Sequence, residues 1–79
     1  MLSNVEFRAL RSKAGLTQAH VAIRGRIDHM RFCMWERGNV ILAAQQVALL
    51  EKALIELIRE SAEQMSHLLI ESREASLIA

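Results

Sequence analysis

The side chains that could do chemistry in this chain are mostly arginines, and they lie in its first half. Residues 1–44 carry seven basic residues against three acidic ones, a net charge of +4, whereas residues 45–79 carry three basic residues against six glutamates. Guanidinium groups bind phosphates and can donate paired hydrogen bonds to guanine. The first half could therefore meet a polyanion, and the second half would be repelled by one.

No combination of residues typical of an active site occurs in the sequence. The serines lack a histidine and an acid in any catalytic motif, and there is no glycine-rich phosphate loop. The single cysteine, Cys33, cannot form an internal disulfide, and its best-placed partner for a metal is only His29, four residues earlier. We therefore expect no enzymatic activity, no metal and no other cofactor.

The chain also lacks the features of a secreted or membrane protein. Its first residues do not combine a basic region with an apolar run, so we expect no signal peptide. The hydrophobic C-terminal segment is interrupted by glutamates and cannot form a membrane span. One cysteine and no targeting segment indicate the cytoplasm.

Composition and helix boundaries predict an all-α protein. Half of the residues are apolar, glycine occurs three times, proline is absent, and no segment alternates apolar with polar residues. We expect helix N-caps at Ser3 (with Glu6 completing a capping box), Thr17 and Asp28, and helix ends at Gly15, Gly25 and Gly38.

No glycine, proline or cap residue that would end a helix occurs between about Ala43 and Leu77. This predicts one helix of ~50 Å or two helices with an unmarked bend. The expected fold is a helix-turn-helix bundle of about four helices with a long C-terminal extension. Its head would span residues 1–43, and a long helical segment for head packing and dimerisation would span residues 44–79. Within the head, we expect these residues to face the core: Val5, Leu10 and Ala14 with Phe7 close by, then Val21, Ala22, Phe32 and Trp35.

Two short helices joined by a tight turn in a basic segment form a helix-turn-helix pattern. The pattern contains Gly15-Leu16-Thr17-Gln18, Val21-Ala22, Ile27-Asp28, Phe32 and Trp35-Glu36-Arg37-Gly38, and further on Leu49-Leu50 and Ala53-Leu54. Over roughly residues 5–55, these residues resemble the Cro/repressor-type helix-turn-helix family, also called the xenobiotic-response-element family. Members include phage repressors, antitoxins and small bacterial regulators.

The resemblance implies roles for individual residues. Base edges would be read by His29, Met30, Arg31 and Met34. The DNA backbone would be contacted by Thr17, Gln18, Arg24, Arg26, Arg37 and Asn39, and Gln18 would either donate to a phosphate or brace the recognition helix. Two alternatives stay open, because Met30 and Met34 could be core residues and the arginines could be solvated surface residues.

The chain departs from the family in three ways. The turn carries Gly25-Arg26, with the glycine one place earlier than usual, which could reshape the turn. Leu42 stands where the family has a proline before the fourth helix. The helix after Leu54 runs far beyond the family's usual end.

Apolar residues form a stripe along the long helix, and a short head cannot cover all of it. Because readers of this kind bind two half-sites, we expect a homodimer. The predicted interface comprises Leu50, Leu54, Leu57, Ile58, Met65, Leu68 and Leu69. Ser61, Gln64 and Ser72 interrupt the heptad, so the sequence does not predict a strict coiled coil. Alternatively, the helix folds back on its own head or docks another protein.

The expected function is that of a sequence-specific double-stranded DNA-binding regulator, most simply a homodimeric repressor of its own promoter from a phage or mobile element. The alternative is an antitoxin or adaptor whose acidic second half binds a protein partner, with DNA binding secondary. Convergence of the basic side chains on one surface would distinguish the two.

Overall fold

The computed structural model is all-helical over the part of the chain it describes, which is the backbone of residues 1–78 and the side chains of residues 1–73. The element order is α1 (Asn4–Lys13), α2 (Gln18–Gly25), α3 (His29–Glu36) and α4 (Ala44–Ile78). Helix α2 packs on α4, and α3 packs on both α1 and α2. The predicted fold class, four helices with a long C-terminal one, is confirmed.

The three short helices begin at the predicted caps. At α1, the Glu6 N–H donates to Ser3 Oγ at 3.1 Å and the Ser3 N–H donates to a Glu6 carboxylate oxygen at 3.0 Å, a complete capping box. The side chains of Thr17 and Asp28 each accept a backbone N–H three residues later, both at 3.1 Å. These bonds satisfy donors that have no partner inside the helix.

The helix ends use left-handed residues, and one of them is not glycine. Gly15 and Gly38 have φ of +71° and +80°. At the end of α2 the left-handed residue is Arg26, with φ 56° and ψ 40°, whereas Gly25 stays helical. Gly25 lies close to α4, since a Cβ there would lie 3.3 Å from Leu50 Cδ2, which would have to shift by a few tenths of an ångström. The displaced glycine therefore allows close approach of α2 to α4, and Arg26 adopts the strained turn conformation.

The core of the head is an aromatic cluster closed by α4. Phe7 packs edge-on against Phe32 and Trp35, with ring centroids 5.6 and 5.4 Å away. The remaining buried members of the core are Val21, Ala22, Leu42, Val47, Leu50 and Leu54. The core thus runs across residue 43, because the first turns of α4 pack on α2 and add Val47, Leu50 and Leu54 to the cluster.

The inner face of α1 differs from our expectation. Phe7 is fully buried, but Val5 and Leu10 are 69% and 42% exposed. The inward positions are Asn4, Phe7, Arg11 and Ala14, at helical spacing, and of the three residues expected there only Ala14 is among them. Arg11 lies on this face because its guanidinium group is neutralised there by Glu36. A sequence pattern of apolar residues could not reveal an inward arginine.

Helix α4 is a single helix that leaves the head after about four turns. The molecule measures 55 × 21 × 18 Å, with a radius of gyration of 16.0 Å. A compact chain of this length would have a radius of gyration of about 12 Å. Of the residues described, none belongs to a helix long and apolar enough to cross a bilayer.

The predicted interface must be corrected at its head-proximal end. Leu50 and Leu54 are 0% and 2% exposed within the single chain, because they face α2 and complete the head core. Leu57 is partly buried against the same core. The other predicted interface residues are exposed: Ile58, Met65, Leu68 and Leu69.

Candidate nucleic-acid interface

Helix α3 has one face in the core and one in solvent. Phe32, Trp35 and Glu36 are buried on its inner face. His29, Met30 and Arg31 are exposed at its N-terminal end. They stand next to the turn that joins α2 to α3, as base-reading residues of a recognition helix do.

The two predicted reading methionines differ in position. Met30 is 67% exposed, whereas Met34 is partly buried. Met30 therefore lies outside the core, and the core alternative applies at most to part of Met34.

Three polar side chains, one each from α1, α2 and α3, form a buried hydrogen-bonded network that joins α3 to the other two helices. Arg11 of α1 donates from Nε and one terminal nitrogen to the two carboxylate oxygens of Glu36, at 2.8 and 3.0 Å. Its other terminal nitrogen donates to the Leu16 carbonyl at 2.8 Å. Glu36 is 3% exposed, so this is a buried bidentate ion pair. A buried carboxylate with such partners holds its helix in one orientation, because any shift would leave a charge unpaired.

Gln18 completes this network from the first turn of α2. Its Nε2 donates to a Glu36 carboxylate oxygen at 2.8 Å, and its Oε1 accepts from the Cys33 thiol at 2.7 Å. Both ends of the amide are therefore used in joining α2 to α3. Of the two roles considered for Gln18, the structure places its side chain in the bracing position. The Thr17 hydroxyl nearby is exposed and caps α2.

Arg24 is engaged by the long helix. Its two terminal nitrogens donate to the two carboxylate oxygens of Glu60 on α4, at 2.7 and 2.9 Å. The hydrogen bond from Arg24 holds the pKa of Glu60 below its ordinary value, and the same bond raises the pKa of Arg24. Glu60 thus uses two of the five N–H donors of Arg24 and neutralises its charge.

The other predicted backbone contacts are exposed. Arg26 ends α2 and Arg37 ends α3, and Asn39 follows in the next loop. In residues 1–73, the ion pairs are Arg11 with Glu36 and Arg24 with Glu60. The guanidinium groups of Arg26, Arg31 and Arg37 thus have no acidic partner among those side chains.

Sequence reasoning did not assign a role to Arg11 or to the carboxylate of Glu36. Glu36 was part of the Trp-Glu-Arg-Gly motif, but nothing in a linear pattern shows that its partner lies 25 residues earlier. The nearest available indication was that Arg11 falls on the same helical face as Phe7.

The described residues contain no group of three or more histidine, cysteine, aspartate or glutamate side chains that could hold a metal ion.

Comparison of the chain with protein-family models, with curated proteins and with solved structures finds no significant match. Its function therefore has to be inferred from the residues of α2, α3 and α4 themselves.

Proposed function

We propose that this protein is a sequence-specific double-stranded DNA-binding regulator that inserts α3 into the major groove. The observation that carries the proposal is the exposed N-terminal face of α3, with His29, Met30 and Arg31, on a helix whose opposite face is locked in the core. A reading helix needs both properties, since exposed side chains read base edges and a rigid inner face keeps them in register.

The exposed face has the chemistry to distinguish bases. Arg31 can donate two hydrogen bonds to O6 and N7 of guanine, and His29 can donate to either acceptor. Met30 has no strong donor or acceptor, but its side chain can pack on a thymine methyl group. These three side chains together would recognise a site that contains both guanine and thymine.

Two exposed arginines at the ends of α2 and α3 are available to contact phosphates. Arg26 and Arg37 lie at the ends of α2 and α3, exposed and without an acidic partner among the described side chains. Lysine and arginine contacts to phosphates supply most of the sequence-independent affinity and make binding salt-dependent. The exposed glutamates of α4 would be kept away from the duplex by repulsion.

The network around Glu36 supports rigid presentation. Arg11 and Gln18 hold Glu36 from α1 and α2, so α3 cannot rotate without breaking buried hydrogen bonds. A reading surface that is already in place loses less conformational entropy on binding.

In this proposal the protein acts as a homodimer on an inverted repeat, because each head reads only one half-site. Occupying a promoter would repress it, and the resemblance to small repressors favours autorepression in a phage or mobile element, in the cytoplasm of the host.

The second candidate is an antitoxin-like or adaptor protein that binds a partner through α4. The observations that favour it are the pairing of Arg24 with Glu60 and the exposed apolar residues of α4. In that case DNA binding would be weak and indifferent to sequence.

A gel shift at two salt concentrations tests the proposal. The full chain is titrated against duplex DNA from upstream of its own gene and against scrambled DNA of equal length, each at about 50 and 200 mM salt. We expect tighter binding to the upstream DNA, weakened by salt on both. If a selection from random duplexes also yields no preferred sequence, the DNA-binding proposal is wrong.

A further inference from the structure

The long helix carries an exposed apolar stripe with its own regular spacing. Ile55, Ile58, Ala62, Met65 and Leu69 follow one another at intervals of three and four residues. Their side chains are exposed in the single chain, from 37% at Ile58 to 66% at Leu69. This 3–4 spacing is typical of a helix that packs along another helix.

The chain exposes more surface than a compact monomer would, and the surplus is large enough to form one side of a stable interface. The chain exposes 5960 Å² of surface. A compact monomer of 8.9 kDa would expose about 4,800 Å². The surplus of roughly 1,100 Å² exceeds the ~800 Å² that each partner buries in a standard interface. Pairing with a second copy of the chain would therefore reduce the exposed area per chain to about that of a compact monomer.

The stripe and the head lie on different faces of α4. Val47, Leu50 and Leu54 point into the head. At 100° per residue, the mean direction of these residues together with Leu57 is about 80° away from that of the stripe. A partner helix lying on the stripe would thus run beside the head without displacing it.

We propose that two copies pair their α4 helices antiparallel along this stripe. In the register that we propose, Ile58 meets the partner's Leu69 and Ala62 meets the partner's Met65. The small Ala62 side chain then faces the larger Met65, Ile58 faces an isomeric leucine, and the two-fold axis passes between positions 63 and 64. Such an interface is self-complementary, as a two-fold dimer requires.

The antiparallel arrangement explains the length of α4, a step that rests on the proposed DNA-binding function. The two-fold axis is perpendicular to both helices, so the two heads lie on the same side of the helix pair. The head-packing residues 47–57 are centred about 11.5 residues from the axis, which separates the two attachment points by about 35 Å. This matches the 34–36 Å between half-sites one turn of DNA apart.

A parallel pair along the same stripe would not give this geometry. Its two-fold axis would run along the helices and place the heads on opposite sides at the same height. The two arrangements therefore make different predictions about which residues of the two chains are neighbours.

Cysteine cross-linking distinguishes them. In a Cys33→Ser background, which keeps a hydrogen-bond donor beside Gln18, we would mix chains carrying Ile58→Cys with chains carrying Leu69→Cys and oxidise them. We expect a disulfide between the two kinds of chain. Chains with Ile58→Cys alone should not cross-link, because positions 58 would lie about 17 Å apart along the axis, beyond the reach of a disulfide.

Light scattering supplies a second readout with a matched control. Met65→Glu on the stripe should halve the mass of the particle, whereas His67→Glu, which adds the same charge on the opposite face, should leave it unchanged. Circular dichroism checks that both variants stay helical.

The possible results separate this inference from the proposed function. A wild-type monomer, or efficient cross-linking of Ile58→Cys to itself, would overturn the antiparallel dimer even if the protein binds its operator. An antiparallel dimer that shows no DNA preference would uphold the pairing and overturn the DNA-binding function.

Discussion

At the scale of single residues, Arg31 is the side chain to which the proposed function assigns base reading most directly. It is exposed at the start of α3, and its guanidinium group has no acidic partner among the described side chains. Arg8 on α1 is also exposed, but it lies on a helix that we do not place in the groove. Arg8→Ala can therefore serve as the control for Arg31→Ala.

We predict that Arg31→Ala weakens binding to the preferred DNA by about 1–3 kcal/mol and relaxes specificity at one base pair. Arg8→Ala should change binding little. Competition binding against a set of single-base operator variants measures both effects. Equal losses for Arg31→Ala on preferred and random DNA would contradict a base-reading role.

Arg26 combines a strained conformation with a predicted phosphate contact. A non-glycine residue at φ 56° costs about 1 kcal/mol, which glycine does not incur. We predict that Arg26→Gly raises the free energy of unfolding by up to about 1 kcal/mol while it weakens DNA binding.

Chemical denaturation of the Arg26→Gly variant measures the first effect. Arg37→Gly is the matched control, because Arg37 ends α3 in the right-handed region at φ −80° and should gain no stability. A stability gain of the same size at position 37 would show that strain at Arg26 is not the cause.

The pair of Arg24 and Glu60 predicts a pH dependence with a definite sign. Because the hydrogen bond from Arg24 lowers the pKa of Glu60 in the folded chain, the pair stabilises the fold above the pKa of an ordinary glutamate. That contribution is lost as the pH falls through the lowered pKa. In an NMR titration, Arg24→Gln should move the Glu60 pKa back up to its ordinary value, and an unchanged pKa would argue against the contact.

At the scale of elements, a buried charge on α3 is paired with side chains of α1 and α2. Glu36 receives hydrogen bonds from α1 and α2, and the side chain of Arg11 is itself only 12% exposed. Neutralising Glu36 would leave the Arg11 charge buried without a counter-ion. The head is therefore held together by an ion pair as well as by the aromatic cluster.

We predict that Glu36→Gln lowers the free energy of unfolding by about 3 kcal/mol, since it leaves a buried charge uncompensated. Glu60→Gln is the matched control at an exposed ion pair and should have a small effect. Urea denaturation of the two variants gives the comparison. Equal effects would mean that the Glu36 pair does not orient α3.

At the scale of the whole molecule, α4 has two roles along its length. Its first turns bury Val47, Leu50 and Leu54 in the head, and its later turns carry apolar residues into solvent. Substitutions in the two parts should therefore act on different equilibria, folding in the first and self-association in the second.

We predict that Leu54→Ala lowers the free energy of unfolding by about 3 kcal/mol, because it leaves a cavity in the core.

The wild-type melting temperature should rise with protein concentration, as expected for a dimer, and Met65→Ala should weaken that dependence. Thermal melts at several concentrations test both statements. A wild-type melting temperature independent of concentration would contradict self-association.

The sequence by itself determined where the short helices begin and end, because capping is a local interaction. Ser3, Thr17 and Asp28 cap helices as expected, and Phe32 and Trp35 are buried as expected. His29 and Arg31 are exposed, and their role in reading bases stays a prediction. The capping interactions depend only on residues a few positions apart.

Only the tertiary structure decided the properties that depend on distant residues. It placed Arg11 against Glu36 and Arg24 against Glu60, and it showed that Gly25 lies in close contact with Leu50 of α4 while Arg26 makes the turn. It also moved Leu50 and Leu54 from the predicted interface into the core. The physical reason is that burial and ion pairing depend on which helix covers which face, and helical spacing along one segment does not contain that information.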